Sequence, residues 1–238
     1  FQESYSVLDK NLLLVDIGGT NIRYAYSNIG DSDFVSENKA ELDSLNDFYN
    51  LMSELLAEAD VKNIVFSVAG PKVNNSIKMT NRNFEIDAHE IRKRFNLESC
   101  YLLNDWESIG YSIRTFAEND FDTFREGEPF NDTFLVIGPG TGLGASVISG
   151  NNVIATEIGN TNLGLSALKS LLEINSDEFN VLEDVISGTG ISRMFETKTG
   201  NKVKSEEIFS LSLNGDDGAI EAVSYTHLRA HETCLDLV

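Results

Sequence analysis

Two glycine-rich turns are the segments of this chain whose residue types and spacing could do chemistry. In the first, Asp16-Ile-Gly-Gly-Thr-Asn21, a carboxylate ends an apolar run and is followed by backbone N–H groups and a threonine hydroxyl. The second, Gly138-Pro-Gly-Thr-Gly-Leu-Gly144, carries four glycines and another threonine. Such turns bring N–H donors close to a phosphate, and a carboxylate beside them attracts Mg²⁺, usually through water. A single Gly-Gly turn is also a common plain hairpin turn, so the occurrence of two is what predicts phosphate binding.

Two better-known glycine fingerprints do not fit the second turn. A P-loop ends in Lys followed by Ser or Thr, whereas this turn ends in Gly144-Ala-Ser146. A dinucleotide-binding turn needs a glycine where Leu143 stands. The sequence therefore predicts neither a Walker A motif nor a Rossmann domain.

Polar residues follow a short buried strand at the middle of the chain. Asn104 and Asp105 come directly after the apolar run 101–103, which places a carboxylate at the carboxyl end of a strand. Asp105 is therefore a candidate general base for phosphoryl transfer to a hydroxyl group. A polyol substrate needs further polar partners, which Asn81, Glu157 and Glu183 could supply. Taken one at a time, such residues are more often helix caps or surface carboxylates.

Apolar periodicity predicts the elements that must position these residues. Short apolar runs predict strands at 12–17, 22–27, 63–68, 101–103, 133–137, 145–149 and 152–156. Helical spacing predicts helices at 46–59, 87–95, 167–172, 181–186, 191–196 and 206–211. The alternation indicates an α/β protein in which a strand, glycine turn and strand unit occurs twice.

Composition and charge exclude several classes of partner. The 238 residues carry 18 Lys+Arg against 38 Asp+Glu, a net charge of -20 that repels nucleic acids and anionic membranes. Two cysteines cannot form a disulfide framework, which predicts a cytoplasmic protein. We expect no nucleic-acid partner and no membrane partner.

An ordered set of motifs resembles the bacterial glucokinases that lie outside the ROK branch. The set comprises LVDIGGTNIR at 14–23, VAGP at 68–71, MTN at 79–81, LND at 103–105, GPGTGLG at 138–144 and VISGTGI at 185–191. Order and spacing agree from residue 12 to about residue 197, and the cysteine-rich zinc motif of the ROK branch is absent. The resemblance implies an actin-like ATPase (ribonuclease H-like) fold with two α/β domains around a cleft. It also implies transfer of phosphate from ATP, with Mg²⁺, to the 6-hydroxyl of glucose, the first step of glycolysis.

Carried over motif by motif, the resemblance implies a set of site residues. The first phosphate turn comprises Asp16, Gly18, Gly19, Thr20 and Asn21, with Asp16 holding Mg²⁺ through water. The second phosphate turn comprises Gly138, Gly140, Thr141 and Gly142. The sugar is implied to contact Asn81, Asn104, Asp105, Glu157, Asn160 and Glu183, and Asp105 is the implied catalytic base.

The chain also departs from the family pattern. Asn160 stands where the family's Glu-Gly-Gly-His sugar loop has histidine, and Phe84 stands where tryptophan is common. Asn160 can hydrogen-bond a hydroxyl but cannot carry a proton charge, which leaves the preferred sugar open.

The expected domains are 1–132, with the first phosphate turn and Asp105, and 133–222, an incomplete second α/β domain with the second turn. Residues 223–238 resemble a translated adaptor sequence and are expected to be a non-native tail. The family's adenosine loop is expected beyond Ala222, so we expect little activity from the 238-residue chain alone.

Two alternatives remain open at this point. One is a non-catalytic sugar-binding or regulatory protein of the same fold, for which Asn160 and the expected lack of the family's C-terminal part are the arguments. The other is a related hexose or amino-sugar kinase, or a polyphosphate-dependent glucokinase. Glucose is the leading substrate prediction, and a homodimer is a further expectation of the resemblance.

Overall fold

The computed structural model describes residues 8–18, 21–41, 44–79, 84–123, 127–128, 131–162, 165–171 and 177–224. The chain forms two compact units, Phe1–Phe116 and Ala117–Val238. Each unit is a mixture of strands and helices, so the predicted α/β class is confirmed. Where the chain is described, no helix is both long and apolar enough to cross a membrane.

The first unit is built on a five-stranded sheet. Its strands and those of a smaller sheet are β1 (Leu12–Ile17), β2 (Asn21–Ser27), β3 (Val35–Glu41), β4 (Asn63–Val68), β5 (Lys72–Val73), β6 (Ser76–Lys78), β7 (Glu85–Asp87) and β8 (Ser99–Asn104). The large sheet has the order β3-β2-β1-β4-β8, and β5, β6 and β7 form the small one. Strands β1, β4 and β8 are parallel, whereas β2 is antiparallel to both of its neighbours. The predicted hairpin of β1 and β2 is confirmed, with Ile17 paired to Ile22.

The helices of the first unit are α1 (Leu45–Glu58), α2 (Ala88–Arg94) and α3 (Asp105–Ser112). Helix α1 begins where the Ser44 side chain accepts from the Asp47 N–H, and it buries Phe48, Met52 and Leu55. The Phe48 ring lies 5.9 Å from that of Phe66 in β4, which joins the helix to the sheet. Each such buried side chain contributes about 2 kcal/mol.

The helix predicted at 87–95 is confirmed, and so is its predicted cap. The Asp87 carboxylate accepts a hydrogen bond from the Glu90 N–H at 2.9 Å, and three basic residues occupy the last turn of α2. Acidic groups near the start of a helix and basic groups near its end both interact favourably with the helix dipole.

Strand β3 was not predicted from the sequence. It is the edge strand of the large sheet, and almost all of its residues are exposed. An exposed edge has no buried face and therefore no alternation of apolar residues, and its charged side chains discourage pairing with other chains. The strands of the small sheet were not predicted, because a strand of two or three residues is too short to show an alternation of apolar and polar side chains.

The second unit is built on an antiparallel meander of three strands. These are β9 (Thr133–Pro139), β10 (Leu143–Ser149) and β11 (Asn152–Thr156), in the order β11-β10-β9. Pro139 pairs with Leu143, so the second glycine turn is the tip of the β9–β10 hairpin, as predicted.

The remaining elements of the second unit are mostly helical. They are α4 (Leu165–Leu171), α5 (Gly188–Thr199), α6 (Ser205–Leu213), a further helix over 217–224, and short 3-10 helices that include Ile158–Asn160 and Leu182–Asp184. The helix predicted at 181–186 is wrong. The Asp184 carboxylate accepts hydrogen bonds from the Asn180 and Val181 N–H groups and so caps the start of one 3-10 turn. The segment ends at Ser187, whose extended backbone and side chain cap the start of α5.

Candidate functional site

The first glycine turn follows the carboxyl end of β1, where Asp16 is held by both neighbouring strands. Asp16 pairs with Arg23 in β2 and with Ser67 in β4. The Arg23 Nη1 atom lies 3.6 Å from Asp16 Oδ2, and the Ser67 hydroxyl donates to Asp16 Oδ1 at 3.1 Å. The Asp16 side chain is 48% exposed, so it has room for a further partner. At the turn itself, the Gly18 N–H donates to the Asn21 carbonyl at 3.0 Å, and Gly19 and Thr20 lie outside the described residues.

The side chains around Asp16 suit a hard cation whose ligands are mostly water molecules and phosphate oxygens. No cluster of three or more His, Cys, Asp and Glu side chains that could hold a metal occurs among the described residues. One carboxylate with an adjacent hydroxyl matches the way Mg²⁺ binds beside phosphates, with few protein ligands and several waters. The residues present therefore fit Mg²⁺ in company with phosphate, and they do not form an all-protein metal cage.

Asn104 and Asp105 lie at the same edge of the sheet as the first turn. Strand β8 ends at Asn104, which pairs with Val68 at the end of β4, and Val68 in turn pairs with Ile17 at the end of β1. The carboxyl ends of these three parallel strands therefore bring the first glycine turn and Asp105 to one edge. Asp105 is the first residue of α3 and is half-buried.

Asn104 is the cap of α3 and is buried. Its Oδ1 atom accepts from the backbone N–H groups of Trp106 at 2.9 Å and Glu107 at 3.3 Å. Its Nδ2 atom donates to the Gly70 carbonyl at 2.9 Å. The Glu107 carboxylate in turn accepts from the Asn104 N–H at 3.2 Å, which completes a capping box. Asn104 therefore fixes the backbone from which the Asp105 side chain projects, and its amide keeps one hydrogen for a ligand.

The second glycine turn lies directly against Glu183. A Cβ placed on Gly142 would be 2.7 Å from Glu183 Oε2, so only glycine allows this carboxylate to come so close. The same oxygen is 3.4 Å from the Leu143 N–H that donates to it. The sequence-predicted sugar ligand Glu183 and the predicted phosphate turn are thus neighbours in the second unit.

Glu157 is the N-cap residue of the 3-10 helix Ile158–Asn160, and Asn160 is its last residue. The Asn160 Nδ2 atom donates to Glu157 Oε2 at 3.1 Å. Between them, Gly159 is buried so tightly that a Cβ would lie 2.5 Å from the Leu143 carbonyl oxygen and 3.4 Å from the Glu183 Cβ. This packing brings Glu157, Asn160 and Glu183 together at the base of the second glycine turn.

Helix α5 begins against the second turn. The Gly188 N–H donates to the Gly140 carbonyl at 2.8 Å, and the Thr189 hydroxyl donates to the Thr141 carbonyl at 2.8 Å. Beyond Thr189 lies a cavity of about 820 Å³, whose walls include Ser192, Arg193 and Lys204. A concave site therefore opens directly beside the predicted phosphate turn.

Asp184, which follows Glu183 in the chain, has a carboxylate held in place by two backbone N–H groups and by Arg193. Burial acts to raise the pKa of the Asp184 carboxyl, but the Asn180 and Val181 N–H groups and the Arg193 guanidinium outweigh it and hold that pKa below its usual value. Asp184 and Arg193 also form an ion pair. These contacts fix the 3-10 turn that carries Glu183.

The predicted site residues thus fall into two groups. Those of the first unit lie along one sheet edge and are Asp16, Gly18, Asn21, Asn104 and Asp105. Those of the second unit lie at or beside the β9–β10 tip and are Gly138, Gly140, Thr141, Gly142, Glu157, Asn160 and Glu183. Asn81 lies outside the described residues, as do Gly19 and Thr20.

Sequence reasoning missed several residues that contact the site. Arg23 and Ser67 face Asp16 only through strand pairing, although the hairpin register of β1 and β2 would have indicated Arg23. Glu107 could have been found from the capping-box spacing of Asn104 to Glu107. Lys72 contacts Glu107, and Thr189 contacts the Thr141 carbonyl. Both are tertiary contacts for which the sequence has no local signal.

The chain is similar in sequence to known glucokinases. A family model described as Glucokinase matches residues 13–234, a range that includes most of the segment expected to be a non-native tail. A glucokinase of Nostoc punctiforme is 29% identical over 212 residues, which is 82% of this chain and 62% of that protein. The chain thus spans about 62% of the length of the curated relative.

Two solved structures show the same fold. A glucokinase from an Antarctic psychrotroph has a TM-score of 0.70 at 22% identity, covering 90% of this chain and 74% of its own. A ROK family glucokinase from Streptomyces griseus, in complex with glucose and AMPPNP, has a TM-score of 0.63 at 17% identity, covering 95% and 78%. At such identities the likeness shows the shared fold alone.

Proposed function

The chain belongs to the glucokinase family, and from that premise we propose that the full-length gene product transfers the γ-phosphoryl group of ATP to the 6-hydroxyl of glucose. The products are glucose 6-phosphate and ADP. The observation that carries this proposal is the packing of the second glycine turn against Glu183 and the Glu157–Asn160 pair. It joins donors suited to phosphate with acceptors suited to sugar hydroxyls in one small region.

In the proposed reaction Asp105 is the general base. Its carboxylate accepts the proton of the sugar hydroxyl as that oxygen bonds to the phosphorus, while the bond from the γ-phosphorus to the ADP oxygen breaks. Asp105 is the first residue of α3 and follows the buried Asn104, which caps this helix. This place supports the role because a base must hold a fixed position. Asn104, Glu157, Asn160 and Glu183 would bind the other hydroxyls, and Asn81 completes the proposed set.

The phosphates of ATP would be held by the two glycine turns. Gly18, Gly19, Thr20 and Asn21 form the first, and Gly138, Gly140, Thr141 and Gly142 form the second. Asp16 would hold the Mg²⁺ that accompanies ATP, and its two oxygens are oriented for this by Arg23 and Ser67. When bound, Mg²⁺ neutralises charge on the phosphate oxygens.

The nucleoside of ATP would lie in the cavity beside the second turn. This cavity adjoins the second turn through the Thr189–Thr141 hydrogen bond, and its walls carry both basic side chains, among them Lys202 and Lys204, and the acidic side chains of Glu178 and Glu196. Its position beside the second turn is what supports this assignment. The Streptomyces griseus structure, which contains glucose and AMPPNP, supports ATP as the donor.

The identity of the sugar depends on the Glu157–Asn160 pair. The Asn160 amide donates to Glu157 and offers its oxygen as an acceptor for the hydrogen of a sugar hydroxyl. Glucose is the proposed substrate on family membership, and a related hexose or amino sugar is the alternative that Asn160 favours. We propose a cytoplasmic setting because the Cys100 thiol is free and ATP is the donor.

The test is steady-state phosphorylation by the full-length gene product with ATP, Mg²⁺ and a panel of hexoses and amino sugars. We expect glucose to be the best acceptor. Asp105→Asn should lower kcat by about 100-fold or more, because a general base contributes that much, whereas Asp60→Asn, at an exposed carboxylate of the same unit, should have no effect. Sugar binding without turnover in the unmodified protein would instead support a non-catalytic sugar-binding role.

A further inference from the structure

A largely buried ion pair lies beneath the first turn of α3 and has no part in the proposed reaction. The Lys72 Nζ atom is 2.5 Å from Glu107 Oε2, and the two side chains are 27% and 9% exposed. Lys72 also donates to the Leu102 carbonyl in β8 at 3.3 Å. Removing two charges from water costs free energy. The capping box does not require this cost, because an exposed glutamate at this position caps a helix without a lysine.

The ion pair shares an atom with the cap of α3. Glu107 Oε2 accepts both from Lys72 and from the Asn104 backbone N–H at 3.2 Å. Lys72 therefore sets the position of the oxygen that holds the Asn104 backbone. Asp105 is the next residue along the chain, so any shift of this oxygen is passed to the candidate base.

A second hydrogen bond joins the same two segments. The Asn104 Nδ2 atom donates to the carbonyl of Gly70, which is two residues before Lys72. The short segment from Gly70 to Lys72 thus holds Asn104 through its side chain and, by way of Glu107, through its backbone. The junction of β8 and α3 is tied to this segment from two sides.

We propose that the Lys72–Glu107 ion pair is a positioning device that holds Asn104 and Asp105 in the geometry needed for sugar binding and proton transfer. This inference rests on the proposed function, because it assigns a role to residues that act on Asp105. Neither Lys72 nor Glu107 is a catalytic residue in this account. Both act through the backbone of the β8–α3 junction.

The first test needs no ligand. Native-state hydrogen exchange of the Trp106 and Glu107 amides measures the cap, because both donate to Asn104 Oδ1. The Glu107 amide is the more direct reporter, because the Trp106 amide also donates to Asp105 Oδ1 at 3.0 Å. In the 238-residue chain, Lys72→Met should speed exchange at these two amides about tenfold or more. Lys62→Met removes an ion pair with Asp60 in which both side chains are largely exposed, so this matched control should leave both rates unchanged.

The second test is kinetic and uses the full-length gene product. Lys72→Met should lower kcat by about 10- to 100-fold through misplacement of the base, with the KM for ATP unchanged. Lys72→Arg keeps the charge and should restore most of the rate. Glu107→Gln removes the charge but keeps an acceptor for the Asn104 N–H, and the double variant should lose less than the product of the two single losses.

The outcomes separate the two proposals. If Lys72→Met leaves the exchange rates equal to those of Lys62→Met, the positioning role is wrong whatever the enzyme does. If exchange responds but the unmodified gene product neither binds nor phosphorylates any sugar, the proposed function fails while the structural link stands. If exchange responds in an active enzyme whose kcat does not, the pair stabilises the cap only and the positioning role is wrong.

Discussion

Substituting Gly159 by alanine should disrupt the packing that joins Glu157 and Asn160, two of the proposed sugar ligands, to the second glycine turn. The added Cβ would lie 2.5 Å from the Leu143 carbonyl oxygen and 3.0 Å from the Leu143 Cβ. Backbone atoms cannot rotate away as a side chain can, so the 3-10 helix and β10 must separate by about 0.9 Å to reach ordinary contact. Overpacking of this kind costs about 2 kcal/mol. For a unit of this size the unfolding midpoint should fall by roughly 6–10 °C.

The two units allow an internal control for this measurement. Trp106 is the only tryptophan and lies in the first unit, so its fluorescence reports unfolding there, whereas hydrogen exchange of residues 143–160 reports the second unit. Gly159→Ala should destabilise the second unit alone. Gly127→Ala should have no effect, because its Cβ would meet no heavy atom of the described residues within 4 Å.

The same substitution has a functional consequence. Displacing the 3-10 helix moves Glu157 and Asn160 relative to Glu183, so sugar binding should weaken about tenfold as at least one hydrogen bond is lost. An unchanged midpoint together with unchanged sugar affinity would show that the 3-10 helix does not pack on β10. The grouping of these three side chains would then be wrong.

Three other predictions follow from the same structure. Gly140→Ala should leave stability unchanged, because its Cβ meets nothing among the described residues within 4 Å, but should weaken ATP binding about tenfold by crowding the phosphate, as calorimetry would show. Asp184→Asn should destabilise the second unit by about 2 kcal/mol near neutral pH. Since the pKa of this carboxyl is lowered by folding, its contribution is present above the unfolded value and lost as pH falls through the folded one, so thermal melts of variant and parent should begin to converge as the pH falls below about 4 and coincide only below the folded pKa. Burial raises the pKa of the Cys100 thiol to about 12, so alkylation of Cys100 at mildly alkaline pH should be slow in the native chain and fast after unfolding.

The sequence was most informative where local rules act. The hairpin at Asp16–Asn21, the cap at Asp87 and the β9–β10 tip all follow from glycine, capping and alternation patterns within a few residues. The exposed edge strand β3 and the 3-10 turn at Leu182–Asp184 were not predicted. Pairing with β2 determines the strand, and the extended backbone of Ser187, which caps α5, ends the 3-10 turn. Neither feature produces a hydrophobic period.

The candidate site was predictable in its residue types but not in its contacts. Asp105 and Glu183 followed from their motifs, whereas the approach of Glu183 to Gly142 depends on tertiary packing. The role of Asn104 shows the same limit. Its motif implied a sugar contact, and the structure adds that its side chain caps α3 and binds Gly70. The predicted roles of all these residues, and the predicted domain bounds, stay predictions.

The central claim is that the full-length gene product phosphorylates glucose with Asp105 as the base. The most direct measurement is the rate of glucose 6-phosphate formation from glucose and Mg-ATP, with the position of the phosphate determined by ³¹P and ¹³C NMR. The account predicts phosphate at the 6-hydroxyl and a kcat that Asp105→Asn lowers by about 100-fold or more while the fold is retained. Full turnover by Asp105→Asn, or glucose-independent formation of ADP as the only activity, would contradict it.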